Sequence, residues 1–370
     1  MNVPDGAEWA EVEGEEIVEW NQRLQRTQAT YRQYPYWVES FRKRWVTPRY
    51  FILQTKHTPL VYTSFLSLGP PTARIGIMHC GLVPLADIEI DSSLIKGFVQ
   101  LIRNLGYFFL KITHSDQAVL DMFLSTVLTE KGGFYPGYEN ARNHLLVRQL
   151  DDDTEMMLSF NETGRRKIRK GQKEGYEISV SDDPEDLKDI WPMLERHAGQ
   201  KGLQVSNRPL DAWLRVIRHA RKHNCVRLYK AHLNERPVLA ILILKYGATA
   251  EYMIGGMELD GLRTNESPAA FAHWFAMRDL YREGCEYYNI GSPGDGVKNQ
   301  LFQFKRNFRP VLFVYPEAVT IVLKPRLFRL WKVLVYRLFV PIRSRFRRLK
   351  KRTNGHKKQK TIAEVLAESE

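Results

Sequence analysis

Lys305 stands between two phenylalanines in the stretch LFQFKRNF, directly after the Gly/Pro-rich loop GSPGDGVKN. A lysine flanked by Phe304 and Phe308 either packs its stem on apolar surface with its ammonium in water, or aims its charge at an anion. In a partly desolvated wall that charge is worth more than in water. An ammonium placed in this way can stabilise negative charge on a bound anion or on an oxygen.

A second set of basic residues lies in the stretch ETGRRKIRKGQKEG. Arg166, Arg169, Lys170 and Lys173 are spaced i, i+3, i+4 and i+7, so a helix would present them on one face, here called the cationic stripe. No acidic residue lies within it. Two interpretations stay open, a solvated helix face and a surface for the phosphates of a nucleic acid.

Other kinds of chemistry lack their residue patterns in this sequence. There is no GxSxG elbow and no persuasive Cys/His nucleophile arrangement, so the sequence does not predict a covalent acyl-enzyme intermediate. Cys80, Cys225 and Cys285 are widely spaced and form no CxxC or Cys/His pattern, which argues against a disulfide framework and against a zinc site. The sequence therefore predicts buried cysteines, no metal and no bound cofactor.

The elements that must position these residues fall into two predicted domains, because 370 residues exceed one ordinary compact domain. Residues 1–150 read as a mixed α/β unit that opens with a helical pattern through TYRQYPYWVESFRKRW. Residues of about 311–335 complete that unit. Residues 151–310 form the second domain, and residues 336–370 are a basic C-terminal tail.

The second domain opens with one predicted helix over residues 154–174, which Gly175 ends. A strand, two helices and three strands follow, and the turns HLNERPV and YGATA have the composition of hairpins. The chain then gives a helix, the strand CEYYNI, the short helix LFQFKRNF and a last strand. This order is that of the Gcn5-related N-acyltransferase fold.

Several motifs in this order resemble the FemAB/FemX family. LLVRQLDDDTEMMLSFNETGRRKIRKGQKEGYEISV resembles the passage into that family's second domain, with its "R..I.KA.K.G" pattern. AEYMIGG and REGCEYYNIGSPGDGVKNQLFQFKRNF are similar to its tyrosine-containing strand, its "G…YD.GG" strand and its "FK..FG" signature. QATYRQYPYWVESFRKRW resembles the first-domain opening "Q…WA..K", so the resemblance covers nearly the whole chain.

This resemblance implies a fold and an activity. Family members contain two Gcn5-related N-acyltransferase-like domains in tandem, and they are non-ribosomal peptidyl transferases. They move an amino acid from aminoacyl-tRNA to an amine of a peptidoglycan precursor. The implied partners are therefore aminoacyl-tRNA and a precursor of the lipid II or UDP-MurNAc-pentapeptide type, and the implied process is formation of the cell-wall cross-bridge.

The resemblance also implies roles for particular residues. Lys305 corresponds to the FK lysine near the tRNA 3′ end and the transferred ester, which makes it the catalytic candidate. Arg208 aligns with an arginine that binds precursor phosphates, and Tyr252 matches a tyrosine that hydrogen-bonds substrate or relays a proton. Arg42 and Lys43 fall near a phosphate-binding lysine, and the cationic stripe is assigned to tRNA. An exposed loop arginine, a core tyrosine and a solvated helix face remain the alternatives.

The chain departs from the family pattern at three places. Arg309 replaces the glycine of the FK signature, and Asn289-Ile290-Gly291 replaces an Asp-Gly strand ending. Ile112-Thr113-His114 stands where the family often has Ile-Asp-Pro. The last departure leaves the contribution of the first domain to the site open.

The charge of the chain is concentrated near its C-terminus. Residues 321–360 contain fifteen Lys/Arg and no Asp/Glu, and leaving them out takes the formal charge from +13 to −2. The segment RLFRLWKVLVYRLFVPIRSRFRRLKKR mixes these cations with aliphatic and aromatic residues, a pattern typical of an interfacial helix on an anionic membrane. RNA could use the same charges. Since no signal peptide or transmembrane span is predicted, the expected location is cytoplasmic, at the inner face of the cell membrane.

Two other functions compete with aminoacyl transfer. An acyl-CoA-dependent N-acyltransferase shares the fold, but the turn GLRTNESPAAF has no glycines after Arg263 to cradle a pyrophosphate. A non-catalytic membrane-associated or RNA-binding protein on this scaffold is the third possibility.

Overall fold

The structure is a computed structural model. It describes residues 4, 6–56, 58–70, 74–113, 117–127, 129–131, 143–200, 202, 204–258, 268–294 and 299–338. These ranges contain eleven α-helices, fifteen strands and several short 3₁₀ turns.

The helices and strands alternate along the chain, as expected for a mixed α/β fold. In chain order they are β1 (Glu8–Glu11), α1 (Glu16–Arg23), α2 (Pro35–Val38), β2 (Val46–Thr55), β3 (Thr58–Leu68), β4 (Arg74–His79), β5 (Val83–Pro84), α3 (Ser92–Asn104), β6 (Tyr107–Thr113), α4 (Gln117–Thr126), β7 (Thr129–Lys131), β8 (Asn143–Arg148), α5 (Asp153–Ser159), α6 (Glu162–Lys173), β9 (Glu177–Ser181), α7 (Pro184–Gln200), α8 (Leu210–Ala220), β10 (Val226–Leu233), β11 (Arg236–Tyr246), β12 (Thr249–Met257), α9 (Pro268–Arg282), β13 (Tyr287–Asn289), α10 (Gln300–Lys305), β14 (Val311–Val314), β15 (Val319–Val322) and α11 (Pro325–Leu338).

The chain forms two compact units. Within the described residues, unit 1 comprises residues up to 13, 42–131 and 315–338, and unit 2 comprises 14–41 and 143–314. The sequence prediction assigned residues 14–41 and β8 to the first domain and β14 to its completion. In the structure all three belong to unit 2. β8 and β14 pair with each other at the edge of its sheet, and α2 of residues 14–41 packs on α8.

Both units contain the same arrangement of strands. In unit 1 the sheet runs β1-β2-β3-β4-β6-β15-β7, with β5 paired to β3, and in unit 2 it runs β14-β8-β13-β12-β11-β10-β9. Each has three antiparallel strands in succession, then a helix, then a strand parallel to the third. An antiparallel strand pairs with the other side of that last strand. The prediction of a mixed α/β fold with two similar domains in tandem is confirmed.

The parallel ladders of the two units differ in length. In unit 1, β4 and β6 stay paired over six positions, from Arg74 to His79. In unit 2, β12 and β13 pair over only three, which end at Glu251 and Asn289, although β12 continues along β11 as far as Met257. Beyond this last pair β12 and β13 no longer form a ladder, and the place where the two strands separate is here called the opening of unit 2.

The central strand of unit 2 shows why this sheet is stable. In β11, residues 238–246 are all buried. A strand reads as a continuous apolar run only when both of its faces are covered. Its contacts with α7 and α9 supply that cover. The predicted hairpin between β10 and β11 is also present, with positive φ at Asn234 and Glu235, as a two-residue type I′ turn requires.

Two helix predictions are wrong in detail. The helical pattern of residues 30–45 is broken into 3₁₀ turns at Tyr31–Gln33 and Glu39–Phe41 around the short α2. Pro35 begins α2, in the first turn, where the missing N–H of proline breaks no hydrogen bond of the helix. The single helix of residues 154–174 is two helices, since Asn161 caps the second by accepting a hydrogen bond from Gly164 N–H at 2.8 Å. The helix α4 was missed.

Gly164 allows α6 to dock on the chain that follows Lys305. A Cβ at this position would lie 2.6 Å from the carbonyl oxygen of Asn307, which also accepts a hydrogen bond from Asn161 N–H at 3.1 Å. Gly164→Ala is therefore expected to destabilise the fold by about 1–3 kcal/mol. The free energy of unfolding in urea measures this. Gly199→Ala in α7, where no atom lies within 4 Å of the added Cβ, is the control, and equal stability of the two variants would contradict the prediction.

Candidate functional site

The opening in unit 2 begins where β12 and β13 separate. A bulge lies just beyond it, because Ile243 pairs with Tyr252 and Leu242 with Ile254, which leaves Met253 as an extra residue. On the other strand Gly291 turns the chain with φ +84°, a conformation that favours glycine. Bulges and left-handed turns at the end of a ladder redirect side chains, and they occur frequently beside active sites.

Lys305, the last residue of α10, reaches this opening from within. Its side chain is buried, with 3% of the residue exposed, and Nζ donates a hydrogen bond to the carbonyl of Ser292 at 2.8 Å. A Cβ on Gly291 would lie 3.2 Å from Nζ, and the ring centroid of Tyr252 is 5.8 Å away. Burial lowers the pKa of Lys305 from 10.5 to about 7, so both protonation states are accessible near neutral pH.

A cluster of aromatic rings that includes the flanking Phe304 and Phe308 lies beside this lysine. His273 lies 5.6 Å from Phe304 and 5.0 Å from Tyr252, measured between ring centroids. The Nδ1 atom of His273 is 2.7 Å from the hydroxyl of Tyr288. Burial and the nearby lysine charge lower the pKa of His273 to about 3, and burial raises that of Tyr252 to about 12. Both groups are therefore neutral at physiological pH, and Lys305 is the titrating group among them.

A buried polar network lies behind Lys305. The carboxylate Oε2 of Glu251 accepts hydrogen bonds from Tyr246 Oη at 2.8 Å and from Asn289 Nδ2 at 3.0 Å. Asn289 Oδ1 accepts from Gly291 N–H at 2.9 Å, and its Nδ2 is 2.8 Å from Nδ1 of His144. Since the Gly291 bond fixes the amide orientation, Nδ1 of His144 is an acceptor.

This network couples a negative charge to the turn that holds Lys305. Asn289 links the Glu251 carboxylate to the Gly291-Ser292 turn, and the Ser292 carbonyl in this turn accepts a hydrogen bond from Lys305 Nζ. The Glu251 charge raises the pKa of Lys305, opposing the larger effect of burial. Among the described residues no carboxylate lies within ion-pair distance of Nζ. Glu251 therefore acts on the lysine through space and through the turn.

Arg208 lies elsewhere in unit 2, in an aromatic cage. Its guanidinium carbon is 3.7 Å from the ring centroid of Trp37 and 3.9 Å from that of Phe41, with Trp213 at 5.7 Å. Nη1 donates a hydrogen bond to Ser40 Oγ at 2.7 Å. Stacking and hydrogen bonding together fix the plane of the guanidinium, which suits it to bidentate recognition of an anion.

A cavity of ≈ 700 Å³ adjoins this arginine. Its walls are the α7 side chains Trp191, Glu195 and Ala198 and residues 204–210 of the following loop and helix. The volume is within the range of small-molecule pockets. The residues that line this cavity do not include Tyr252 or Lys305. The cavity beside Arg208 and the opening at Lys305 are therefore two separate places in unit 2.

The cationic stripe is a solvent-facing surface on α6. Arg166, Arg169 and Lys173 are exposed, and Lys170 forms an ion pair with Glu174 at 3.3 Å. The opposite side of α6 buries Gly164, Ile168 and Gly171 and packs on α9. Exposed side chains agree both with a solvated helix face and with a surface that binds phosphates, so the assignment of the stripe to tRNA remains a prediction.

The predicted first-domain residues lie in unit 1. Arg42 and Lys43 are exposed and precede β2 in a turn, where Lys43 N–H donates to Val46 O at 3.0 Å, so the expected helix face is absent there. Thr113 ends β6, and its Oγ1 lies 2.6 Å from Nδ1 of His79. His114, like residues 339–370 of the predicted basic tail, lies outside the described residues. The phosphate-binding role of Arg42 and Lys43 stays a prediction.

Metal and thiol chemistry find no support in the described part of the chain. It contains no group of His, Cys, Asp or Glu side chains that could hold a metal ion. Cys225 and Cys285 are buried, and burial raises the pKa of both thiols. None of the helices described is long and apolar enough to cross a membrane.

Comparison with known proteins identifies the fold. Residues 159–306 match the family model of an acetyltransferase (GNAT) domain, and the match ends beside Lys305. The crystal structure of FemX superimposes with a TM-score of 0.73 at 13% identity, covering 88% of this chain and all of that one. The chain has a FemX-like GNAT fold. The predicted resemblance to the FemAB/FemX family is thereby confirmed at the level of the fold.

Two further solved structures share the FemX-like fold more distantly. L-PGS from Bacillus licheniformis has a TM-score of 0.52 at 12% identity and covers 89% of this chain and 97% of its own. The C-terminal domain of a putative lysylphosphatidylglycerol synthetase from Agrobacterium fabrum has a TM-score of 0.50 at 14% identity, with 87% and 96% covered. A search of curated proteins found no match. The chain thus carries an acyltransferase domain within a FemX-like fold.

One departure from the FK signature has a visible structural cost. Arg309 occupies the position of the family glycine and adopts φ +44° and ψ +53°, where it ends the turn after α10. A side chain in this left-handed region costs roughly 1 kcal/mol relative to glycine. The turn that follows Lys305 therefore has a left-handed backbone at Arg309, a conformation that glycine adopts at lower cost.

Proposed function

We propose that this chain is an aminoacyltransferase that moves an amino acid from aminoacyl-tRNA to an amine of a peptidoglycan precursor. The observation that carries the proposal is the buried Lys305 at the opening between β12 and β13. A buried lysine whose pKa is lowered to about 7 can be charged or neutral near neutral pH, and groups with such shifted pKa values occur preferentially at functional sites. The FemX-like fold and the acetyltransferase domain support acyl transfer as the reaction class.

The proposed chemistry is direct aminolysis of the ester. The acceptor amine attacks the ester carbonyl, a C–N bond forms, and negative charge develops on the carbonyl oxygen. The C–O bond to the tRNA terminal ribose then breaks, and the ribose oxygen takes up a proton as the amine loses one. The Lys305 ammonium stabilises the developing oxygen charge, with the neutral Tyr252 hydroxyl as a second donor.

Arg208 is proposed to bind the phosphates of the acceptor. Arg208→Lys is expected to raise the KM for a UDP-linked precursor about tenfold or more with a smaller effect on kcat, because an ammonium cannot stack between Trp37 and Phe41 or bind bidentately. Steady-state kinetics with varied acceptor measure this. Arg218→Lys, at an exposed position of α8, is the control. An unchanged KM in the Arg208 variant would remove the phosphate role.

The cationic stripe is proposed to contact the tRNA backbone. Its three exposed members carry charges that phosphates can neutralise, and such binding weakens steeply with salt. Arg42 and Lys43, both exposed in unit 1, are proposed to bind the acceptor substrate through its phosphates rather than the tRNA.

The function is tested by incubating the purified chain with a mixture of charged tRNAs and either UDP-linked or lipid-linked precursor. Mass spectrometry of the product is expected to show the acceptor heavier by one aminoacyl residue. An acyl-CoA enzyme is the second candidate, since the domain match is to an acetyltransferase model. Transfer from acetyl-CoA with no transfer from any charged tRNA would replace the proposal by that alternative.

A further inference from the structure

The helix α11 has two unlike faces. On one face Phe328 and Trp331 pack on Phe109, with ring centroids 5.3 Å and 4.9 Å away. Phe328 also contacts Phe108 and Val322 in a small apolar cluster of unit 1. This contact anchors the helix to the sheet and fixes which residues point outward.

The outward face is apolar where solvent would favour polar residues. Leu327, Leu330 and Val333 are 44%, 58% and 49% exposed, and they follow one another every three residues, so they lie on one side of the helix. A protein surface tolerates single exposed leucines, but a row of large aliphatic side chains marks an interaction site. The anchored face leaves this row available.

The charged residues of α11 itself are all positive. Arg326 and Arg329 are exposed beside the leucines, and Nζ of Lys332 lies 5.8 Å from the Phe328 ring. No acidic residue occurs in the sequence between Glu317 and Glu364. Aliphatic side chains flanked by cations complement a surface that is apolar below and anionic above, which is the chemistry of an anionic lipid leaflet.

We propose that the Leu327/Leu330/Val333 face of α11 docks on an anionic bilayer surface, with Arg326 and Arg329 at the headgroups. An RNA backbone would use the arginines but gives the leucines nothing to contact. The packed face holds Phe328 and Trp331 on unit 1, so docking requires no unfolding of the helix. This places a lipid surface against unit 1 independently of the reaction catalysed by unit 2.

Flotation of the full chain with vesicles of phosphatidylglycerol and phosphatidylcholine tests the proposal. The wild type is expected to float with these vesicles and to stay behind with pure phosphatidylcholine. The double substitution Leu327→Gln and Leu330→Gln is expected to lower binding at least tenfold, with circular dichroism unchanged. Leu158→Gln, which alters an equally exposed leucine of α5, is the control and should bind as the wild type does.

Each alternative gives a different result. Unchanged flotation of the leucine double variant would mean that other cations bind the vesicles, and it would overturn the role of this face. Loss of tRNA binding, rather than lipid binding, in the same variant would assign the face to RNA. Loss of flotation only in a variant with Arg326→Gln and Arg329→Gln would show charge attraction without docking of the aliphatic row, which also contradicts the proposal.

Discussion

Replacing Lys305 by methionine is expected to lower the transfer rate about 100-fold or more while the folded chain becomes more stable at neutral pH. The rate falls because one preorganised donor at a developing oxyanion typically contributes that much. The stability rises because burial disfavours the ammonium, whose hydrogen-bond acceptor among the described residues is the carbonyl of Ser292. A methionine stem fills similar volume without the charge.

The gain in stability should depend on pH with a definite sign. The pKa of Lys305 is about 7 in the folded chain and 10.5 when unfolded, so between these values the unfolded chain binds more protons. The free energy of unfolding of the wild type therefore rises with pH across this window. Lys305→Met should be more stable by up to about 5 kcal/mol below pH 7, since each pKa unit corresponds to about 1.4 kcal/mol, and this advantage should vanish towards pH 10.5.

Lys245→Met is the matched control. Lys245 is also buried in unit 2, at 8% exposure, but it is paired with Glu283, which Arg227 also contacts at 2.8 Å. Removing it breaks a paired charge, so stability should fall while the transfer rate changes little. Urea unfolding and initial rates on the same preparations measure both quantities. A Lys305→Met variant with a wild-type rate would end the catalytic role of this lysine.

The sequence suggested Lys305 as a candidate site residue, but it did not indicate which residues surround Lys305 in the fold. Lys305 could be chosen because its flanking phenylalanines and the preceding Gly/Pro loop are contiguous in the sequence. Residues that are adjacent in the sequence stay close together in the folded chain. Arg208 was chosen from the family resemblance, and its cage with Trp37 and Phe41 was not predicted, because those residues lie some 170 positions earlier along the chain. Contacts between distant segments depend on the packing of whole elements, which no local pattern specifies.

The polar network behind the lysine was missed for the same reason. Glu251, Asn289 and His144 come from three different strands and meet only when β8, β13 and β12 form adjacent ladders. One signal was present, since each of the three is a polar residue beside an apolar or aromatic neighbour in its own strand. Buried polar groups at such positions require partners, and three of them in neighbouring strands indicate a network.

Glu251→Gln is expected to lower the pKa of Lys305 below 7 and to reduce transfer at pH 8 about tenfold for each unit of that shift, since the ammonium fraction falls by this factor. The sign follows from charge, because removing a nearby negative group disfavours the ammonium. The alkaline limb of the kcat profile, where Lys305 loses its proton, should move to lower pH. NMR of isotope-labelled lysine should show the same shift without any substrate.

The substitution removes the charge with little loss of hydrogen bonding. Both donors to Glu251, Tyr246 Oη and Asn289 Nδ2, meet the same oxygen, which the glutamine carbonyl can replace. The new amide then takes the place of Oε1, 3.8 Å from His144 Nδ1, which is an acceptor in this network. A change in the pH profile with unchanged melting temperature would therefore report charge rather than damage.

Glu258→Gln separates this effect from the general loss of a buried carboxylate. Glu258 follows β12 directly and is equally buried, but its ion-pair partner is the exposed Arg196, at 2.6 Å. Its substitution should leave both the lysine pKa and the alkaline limb in place. An identical displacement in the two variants, or a Lys305 pKa that stays near 7 in Glu251→Gln, would show that the network holds the turn without tuning the lysine. The prediction thus depends on one electrostatic interaction, between the Glu251 carboxylate, at the last β12 residue paired with β13, and the Lys305 ammonium.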